Sequence, residues 1–116
     1  MFEPDKVHFV TFRTIQGRFL LRPSMAVNLI IGGVLAHAMK RFHIKLFNFV
    51  FLSNHGHLLL QAPEGMLPPF MQFLLSNVAR KLGSLHDWHD KLWARRYSSE
   101  PVLDDDAVNG RMIYIF

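Results

Sequence analysis

The segment Asn54-His55-Gly56-His57-Leu58-Leu59-Leu60 constrains this chain more than any other. It is followed by Pro63 and preceded by a stretch over 44–52 rich in Phe, Val, Ile and Leu, so it reads as a central β-strand. Successive strand side chains alternate between faces. His55, His57 and Leu59 therefore share one face, while Gly56, Leu58 and Leu60 point to the other. Two imidazoles on one strand face can grip one divalent cation. In a chain with seven histidines a His-x-His also arises by chance. The leucine run favours the metal, because it buries the strand, and a buried polar pair costs free energy unless it has partners.

A central strand needs neighbours, and the periodicities supply them. Residues 7–15 alternate as a first strand, with His8, Val10, Phe12 and Thr14 on one side. A loop over 16–23 carries Gly17, Arg18 and Arg22. Ser24 is placed to cap a helix running to about Phe42, with Val27, Ile30, Ile31, Val34 and Leu35 on its buried side. Gly32-Gly33 either weakens that helix or marks close backbone packing. Strands follow over 44–52 and 54–62, joined by a tight turn near Ser53-Asn54. Pro68-Pro69 open a second helix with Phe70, Leu74, Val78, Leu82 and Leu85 along one stripe. A polar-aromatic connection spans 86–93, and 95–103 has room for a fourth strand. Asp104, Asp105 and Asp106 suit the start of a last helix, where carboxylates meet free amides and the positive dipole end. The order is strand, helix, strand, strand, helix, strand, helix. It predicts an α+β fold: an antiparallel sheet of about four strands with helices on one face, RRM-like or ferredoxin-like. The other sheet face is left for a ligand.

Composition narrows the partners. The chain is long enough for one domain with a modest core, and half its residues are hydrophobic. Thirteen Lys and Arg against nine Asp and Glu give +4 with neutral histidines, which favours an anionic partner. The absence of cysteine excludes disulfides and thiolate chemistry and is compatible with a cytoplasmic protein. The longest apolar stretch, 25–39, is interrupted by Asn28 and His37 and is too short to span a bilayer, so no membrane partner is expected. No signal peptide is visible.

Several of these segments together resemble a known family. The run from Asn54 to Leu59, the strand Val10-Thr11-Phe12-Arg13, the segment Leu92-Trp93-Ala94-Arg95-Arg96-Tyr97 and the ending Arg111-Met112-Ile113-Tyr114-Ile115 are similar to the single-tyrosine HUH transposases. The likeness is greatest to the REP-associated tyrosine transposases, and it covers residues 1–116 as one catalytic domain. The resemblance implies a metal-dependent transposase that cuts single-stranded DNA, acting on hairpin-bearing strands as a homodimer. His55 and His57 take the place of the metal pair, with Mg²⁺ or Mn²⁺ as cofactor, and Tyr114 that of the nucleophile, leaving a 5′-phosphotyrosine and a free 3′-hydroxyl. Such chemistry needs no ATP, in keeping with the lack of a phosphate-binding glycine loop. On the last helix Tyr114 lies about 100° from Ile115, off the apolar stripe of Val108, Met112 and Ile115 and grouped with Ala107 and Arg111.

Two departures from the family pattern stand out. Gly56 replaces a bulky hydrophobic residue, which predicts a gap on the helix-facing side and a loosened strand. The family's third metal ligand would fall one helical turn past Tyr114, beyond Phe116, so the catalytic helix is expected to be cut short.

Arg13, Arg80, Lys81, Arg95, Arg96 and Tyr97 are the candidate nucleic-acid contacts, with Lys91, Trp88 and Trp93 in support. His8 is a candidate partner for the metal pair. His86, Asp87, His89 and Asp90 read as an exposed turn rather than a second metal site, and His37 and His43 as structural. Two rival classes remain. One is a non-catalytic nucleic-acid-binding module using Phe47, Phe49 and Phe51 as a stacking platform. The other is a small-substrate metallohydrolase, which would need an Asp or Glu base that the histidine pair lacks in sequence.

Overall fold

The computed structural model describes residues 6–94 and 96–102. Four strands form one antiparallel sheet: β1 (Lys6–Arg13), β2 (Lys45–Leu52), β3 (His55–Ala62) and β4 (Ser98–Val102), in the order β2-β3-β1-β4. Two helices, α1 (Met25–Phe42) and α2 (Leu67–His86), connect β1 to β2 and β3 to β4. β1 and β2 both run antiparallel to β3, and are therefore parallel to each other, as are β3 and β4. Each helix is then a crossover, and the two β-α-β units interleave as in the ferredoxin-like arrangement. The fold expected from the sequence is the fold observed. The expected last helix, and Tyr114 with it, lies outside the described residues.

Local chemistry explains the element boundaries. The Ser24 hydroxyl accepts the Val27 N–H at 3.1 Å and starts α1. The helix stops where His43 turns left-handed at φ 57°, with Lys40 and Arg41 in its last turn complementing the dipole. Gly32 and Gly33 face open space in an unbroken helix, so they mark no close packing. α2 carries proline in its first turn and ends at Asp87, also left-handed. β1 is shorter than the predicted 7–15. A 3-10 turn at Ile15–Gly17 takes over, with Gln16 and Gly17 at positive φ. β4 begins at Ser98 rather than residue 95.

The core lies between the sheet and the helices. Val10 and Phe12 of β1 and Leu58 and Leu60 of β3 meet Val27, Ile31, Val34 and Leu35 of α1 and Phe70, Leu74, Val78 and Leu82 of α2. Fully burying each such side chain contributes about 1.5–3 kcal/mol. Leu85, expected on the same stripe, is exposed.

The gap predicted at Gly56 is absent. Gly56 pairs with Phe12 across β1 and β3, and a Cβ there would stand 2.5 Å from the Phe12 ring. The ring fills the glycine's space and also packs on Phe51 and edge-on against Trp93. A large side chain on one strand thus occupies the space left by none on the next.

Candidate active site

The face of the sheet away from the helices is set by register. His57 faces Thr11, and His55 faces Arg13, across the β3–β1 ladder. This face is open around His55, His57 and Arg13 and closed further along, where Phe9 and Leu59 are buried. The predicted histidine pair is therefore formed: both rings project from one face with centroids 5.1 Å apart.

Each ring is held by its Nδ1. His55 Nδ1 lies 2.8 Å from Asn54 Oδ1, and an amide oxygen only accepts, so Nδ1 carries the proton and Nε2 the lone pair. His57 Nδ1 lies 3.1 Å from the Thr11 hydroxyl, and the ring stacks on Phe9 at 5.4 Å between centroids. A hydrogen bond at one nitrogen that orients the other is how proteins prepare imidazoles for a metal.

Electrostatics push the same way. Both histidines have pKa values below the ordinary 6.5. For His55 the causes are burial first and the Arg13 guanidinium second; for His57 they are burial, then His55, then Arg13. A depressed pKa keeps the rings neutral, the form that binds metal. With both Nδ1 atoms hydrogen-bonded, the Nε2 of each ring is the nitrogen left to ligate a divalent ion. Among the described residues no third His, Asp, Glu or Cys joins them.

Asn54 and Thr11 were not assigned roles from sequence. Asn54 sits inside the motif and was readable as a side chain beside its neighbour. Thr11 becomes visible only once register places it opposite His57. The turn is pinned from below by buried Thr14, whose N–H donates to the Asn54 carbonyl at 3.0 Å and whose hydroxyl lies between that carbonyl, at 3.1 Å, and the Arg18 carbonyl, at 2.5 Å. Asn54 Nδ2 in turn donates to the Gly17 carbonyl.

The other predicted contacts divide. Arg13 projects onto the histidine face, and Arg96 borders a concavity shared with Arg13. Arg80 and Lys81 lie on α2, behind the sheet. Arg80 is hydrogen-bonded to Asn77 there and lines a groove with Trp88, Lys91 and Trp93. Arg95 and Tyr114 lie outside the described residues. Tyr97 is half-buried, with its ring against the core. Trp93 packs on the same core and donates its indole N–H to the Leu75 carbonyl, and Trp88 lies under the Arg18 guanidinium. His8 pairs with Leu60 and so lies on the helix side, which rules out the predicted contact with the metal pair. Phe49 and Phe51 pair with Leu58 and Gly56, again on the helix side, and Phe47, in the bulge between Leu46 and Asn48, borders a hollow with Leu35 and Met39 of α1, so β2 offers no phenylalanine platform beside the histidines.

The α+β sandwich and its strand-borne histidine pair are the architecture of a single-tyrosine transposase domain. The family model for IS200-like transposases matches residues 4–115, and the chain belongs to that family. No curated protein matches it. Among solved structures, a REP-associated tyrosine transposase bound to a REP hairpin aligns at TM-score 0.75 with 13% identity, over 99% of this chain and 67% of that one. A transposase candidate from Deinococcus radiodurans R1 aligns at TM-score 0.70 with 19% identity, over 98% and 91%. At these identities the likeness is one of fold.

Proposed function

We propose that this transposase is a metal-dependent single-strand DNA endonuclease and strand transferase that works through a tyrosyl–DNA intermediate. The observation that carries the reading is the His55–His57 pair on one sheet face, with both Nδ1 atoms hydrogen-bonded, which leaves the Nε2 of each ring to serve as a ligand. His55 and His57 would hold a divalent ion, Mg²⁺ or Mn²⁺, which would supply charge to neutralise and orient a phosphodiester that otherwise repels a nucleophile. Tyr114 is the proposed nucleophile. Its phenolic oxygen bonds to phosphorus, its proton leaves, and the 3′-oxygen departs and takes a proton to become a hydroxyl. The 5′-phosphotyrosine ester conserves the bond for rejoining.

The substrate proposed is a hairpin-bearing single strand, supported by the net positive chain and by the REP hairpin bound to the transposase of like fold. A homodimer belongs to the same reading and is tested by light scattering. Denaturing gels of protein mixed with labelled hairpin DNA and Mn²⁺ or Mg²⁺ test the chemistry. A protein-linked band that requires metal and disappears in Tyr114→Phe is expected. A band that persists in Tyr114→Phe reassigns the nucleophile, with Tyr97 the other tyrosine. Binding without a band under either metal would leave a non-catalytic nucleic-acid-binding domain.

A further inference from the structure

A second feature lies on the histidine face, on its β4 side. A concavity of about 360 Å³ is lined by Thr11, Phe12, Arg13, Ala94, Arg96 and Ser98. Backbone pairing explains its composition. Ser98 faces Thr11 in the β1–β4 ladder, and the Ala94 N–H donates to the Arg13 carbonyl at 2.9 Å. The segment entering β4 is thereby held along the end of β1, and Arg96 comes to border the same space as Arg13. Two arginines, a threonine and a serine line one hollow, and among the described residues its lining holds no carboxylate. Among the described residues no acid pairs with either arginine.

Two cations at one hollow repel each other unless an anion lies between them. Guanidinium matches the paired oxygens of a phosphate, and Ser and Thr hydroxyls are common donors to phosphate oxygens. The hollow adjoins the metal pair, since Arg13 is the register partner of His55.

We propose that this hollow is a phosphodiester-binding site, holding a backbone phosphate of the single strand beside the one presented to the histidines. This rests on the reading of the chain as a DNA-cutting enzyme, which it deepens by giving the strand a path: off the histidine pair toward β4. Because the donors meet phosphate and not bases, the grip is independent of sequence.

The test is fluorescence anisotropy of labelled single strands of two unrelated sequences, with EDTA present, across a salt series. Arg13→Gln and Arg96→Gln are each expected to lower the slope of log affinity against log salt by about 0.7, the effect of one lost phosphate contact. The decrease should be equal on both sequences and restored by Arg13→Lys and Arg96→Lys. Lys40→Gln, in the last turn of α1, should leave the slope unchanged. Slopes that stay at the wild-type value in folded Gln variants would overturn the site, as would a decrease confined to one sequence or matched by Lys40→Gln. The nuclease reading fails separately. Without any metal-dependent adduct it falls while arginine-dependent slopes keep the phosphate site, and adduct formation with indifferent slopes does the reverse.

Discussion

Two histidine-rich segments occur in this chain, and they use opposite ring nitrogens. On β3, His55 and His57 engage their partners through Nδ1. At the end of α2 and in the following turn, His86 Nε2 donates to the Leu20 carbonyl at 3.0 Å, and His89 Nε2 lies 2.8 Å from Asp87 Oδ1. The second pair has its outer nitrogen occupied, and the His89–Asp87 contact is almost wholly solvent-exposed. Such a contact contributes little to stability. The residue types are alike in the two places. A strand face that aligns the rings, and partners that take the inner nitrogen, distinguish the site from the exposed turn.

The sharpest way to break this comparison is to remove the rings. His55→Ala and His57→Ala should each lower Mn²⁺ affinity by more than about 100-fold, since even the partners of metal-bound histidines are worth about 10–100-fold. Adduct formation should be lost with it. His86→Ala and His89→Ala should leave both unchanged. Calorimetric titration with Mn²⁺ decides the matter, and a comparable loss in either of the latter two would erase the distinction.

Removing the partners asks whether the held Nδ1 matters. Asn54→Ala and Thr11→Val should each weaken Mn²⁺ binding by about 10–100-fold while both histidines remain. Asp87→Gly, which removes the partner of His89 at a left-handed position glycine accepts, should change nothing at the metal. Equal affinities in all three variants would mean that ring orientation comes from the strand alone.

The strand itself can be tested through two glycines. Gly56→Ala places a Cβ 2.5 Å from the Phe12 ring, and overpacking of this kind costs about 1–3 kcal/mol. In a Phe12→Leu background the penalty should shrink, the signature of direct coupling in a double-mutant cycle. Gly33→Ala meets open space on exposed α1 and should instead stabilise by about 0.5–1 kcal/mol. Thermal melts of wild type and the four variants, the Gly56→Ala/Phe12→Leu double variant included, separate a glycine that packing requires from one that it does not.

These pairs of contrasts show what was legible in the sequence. The period-2 and period-3.6 patterns and the Ser24 cap were enough for the strands and helices, because each is a local signal. Shared parity placed His55 and His57 together, since it needs only one strand. What required a second strand was hidden. Thr11 beside His57 and Phe12 over Gly56 are cross-strand pairs, Arg96 reaches the hollow of Arg13 only through the segment that enters β4, and register is fixed by the whole sheet. For the same reason His8 looked close to the metal pair while lying on the opposite face. Arg80 and Lys81 read as a basic stripe, but helical spacing alone does not say on which side of the sheet a helix packs.

The smallest expected effect concerns pH and bears on Arg13. With folded pKa values below 6.5, the histidines bind fewer protons when folded than when unfolded. Their contribution to stability is therefore full above 6.5 and declines as pH falls through 6.5 toward the lower folded values. Metal affinity weakens over the same acid range, because protons compete for Nε2. Arg13→Gln removes one cause of the depression from both rings and leaves burial, the larger cause, in place. Both titration midpoints should rise and still remain below 6.5, and acid loss of Mn²⁺ binding should begin at slightly higher pH. NMR titration of the His55 and His57 ring protons, in wild type and Arg13→Gln, measures this directly. Unmoved midpoints would mean that the guanidinium charge does not reach the rings. A rise in both midpoints would show that the arginine acts on the strand-borne pair.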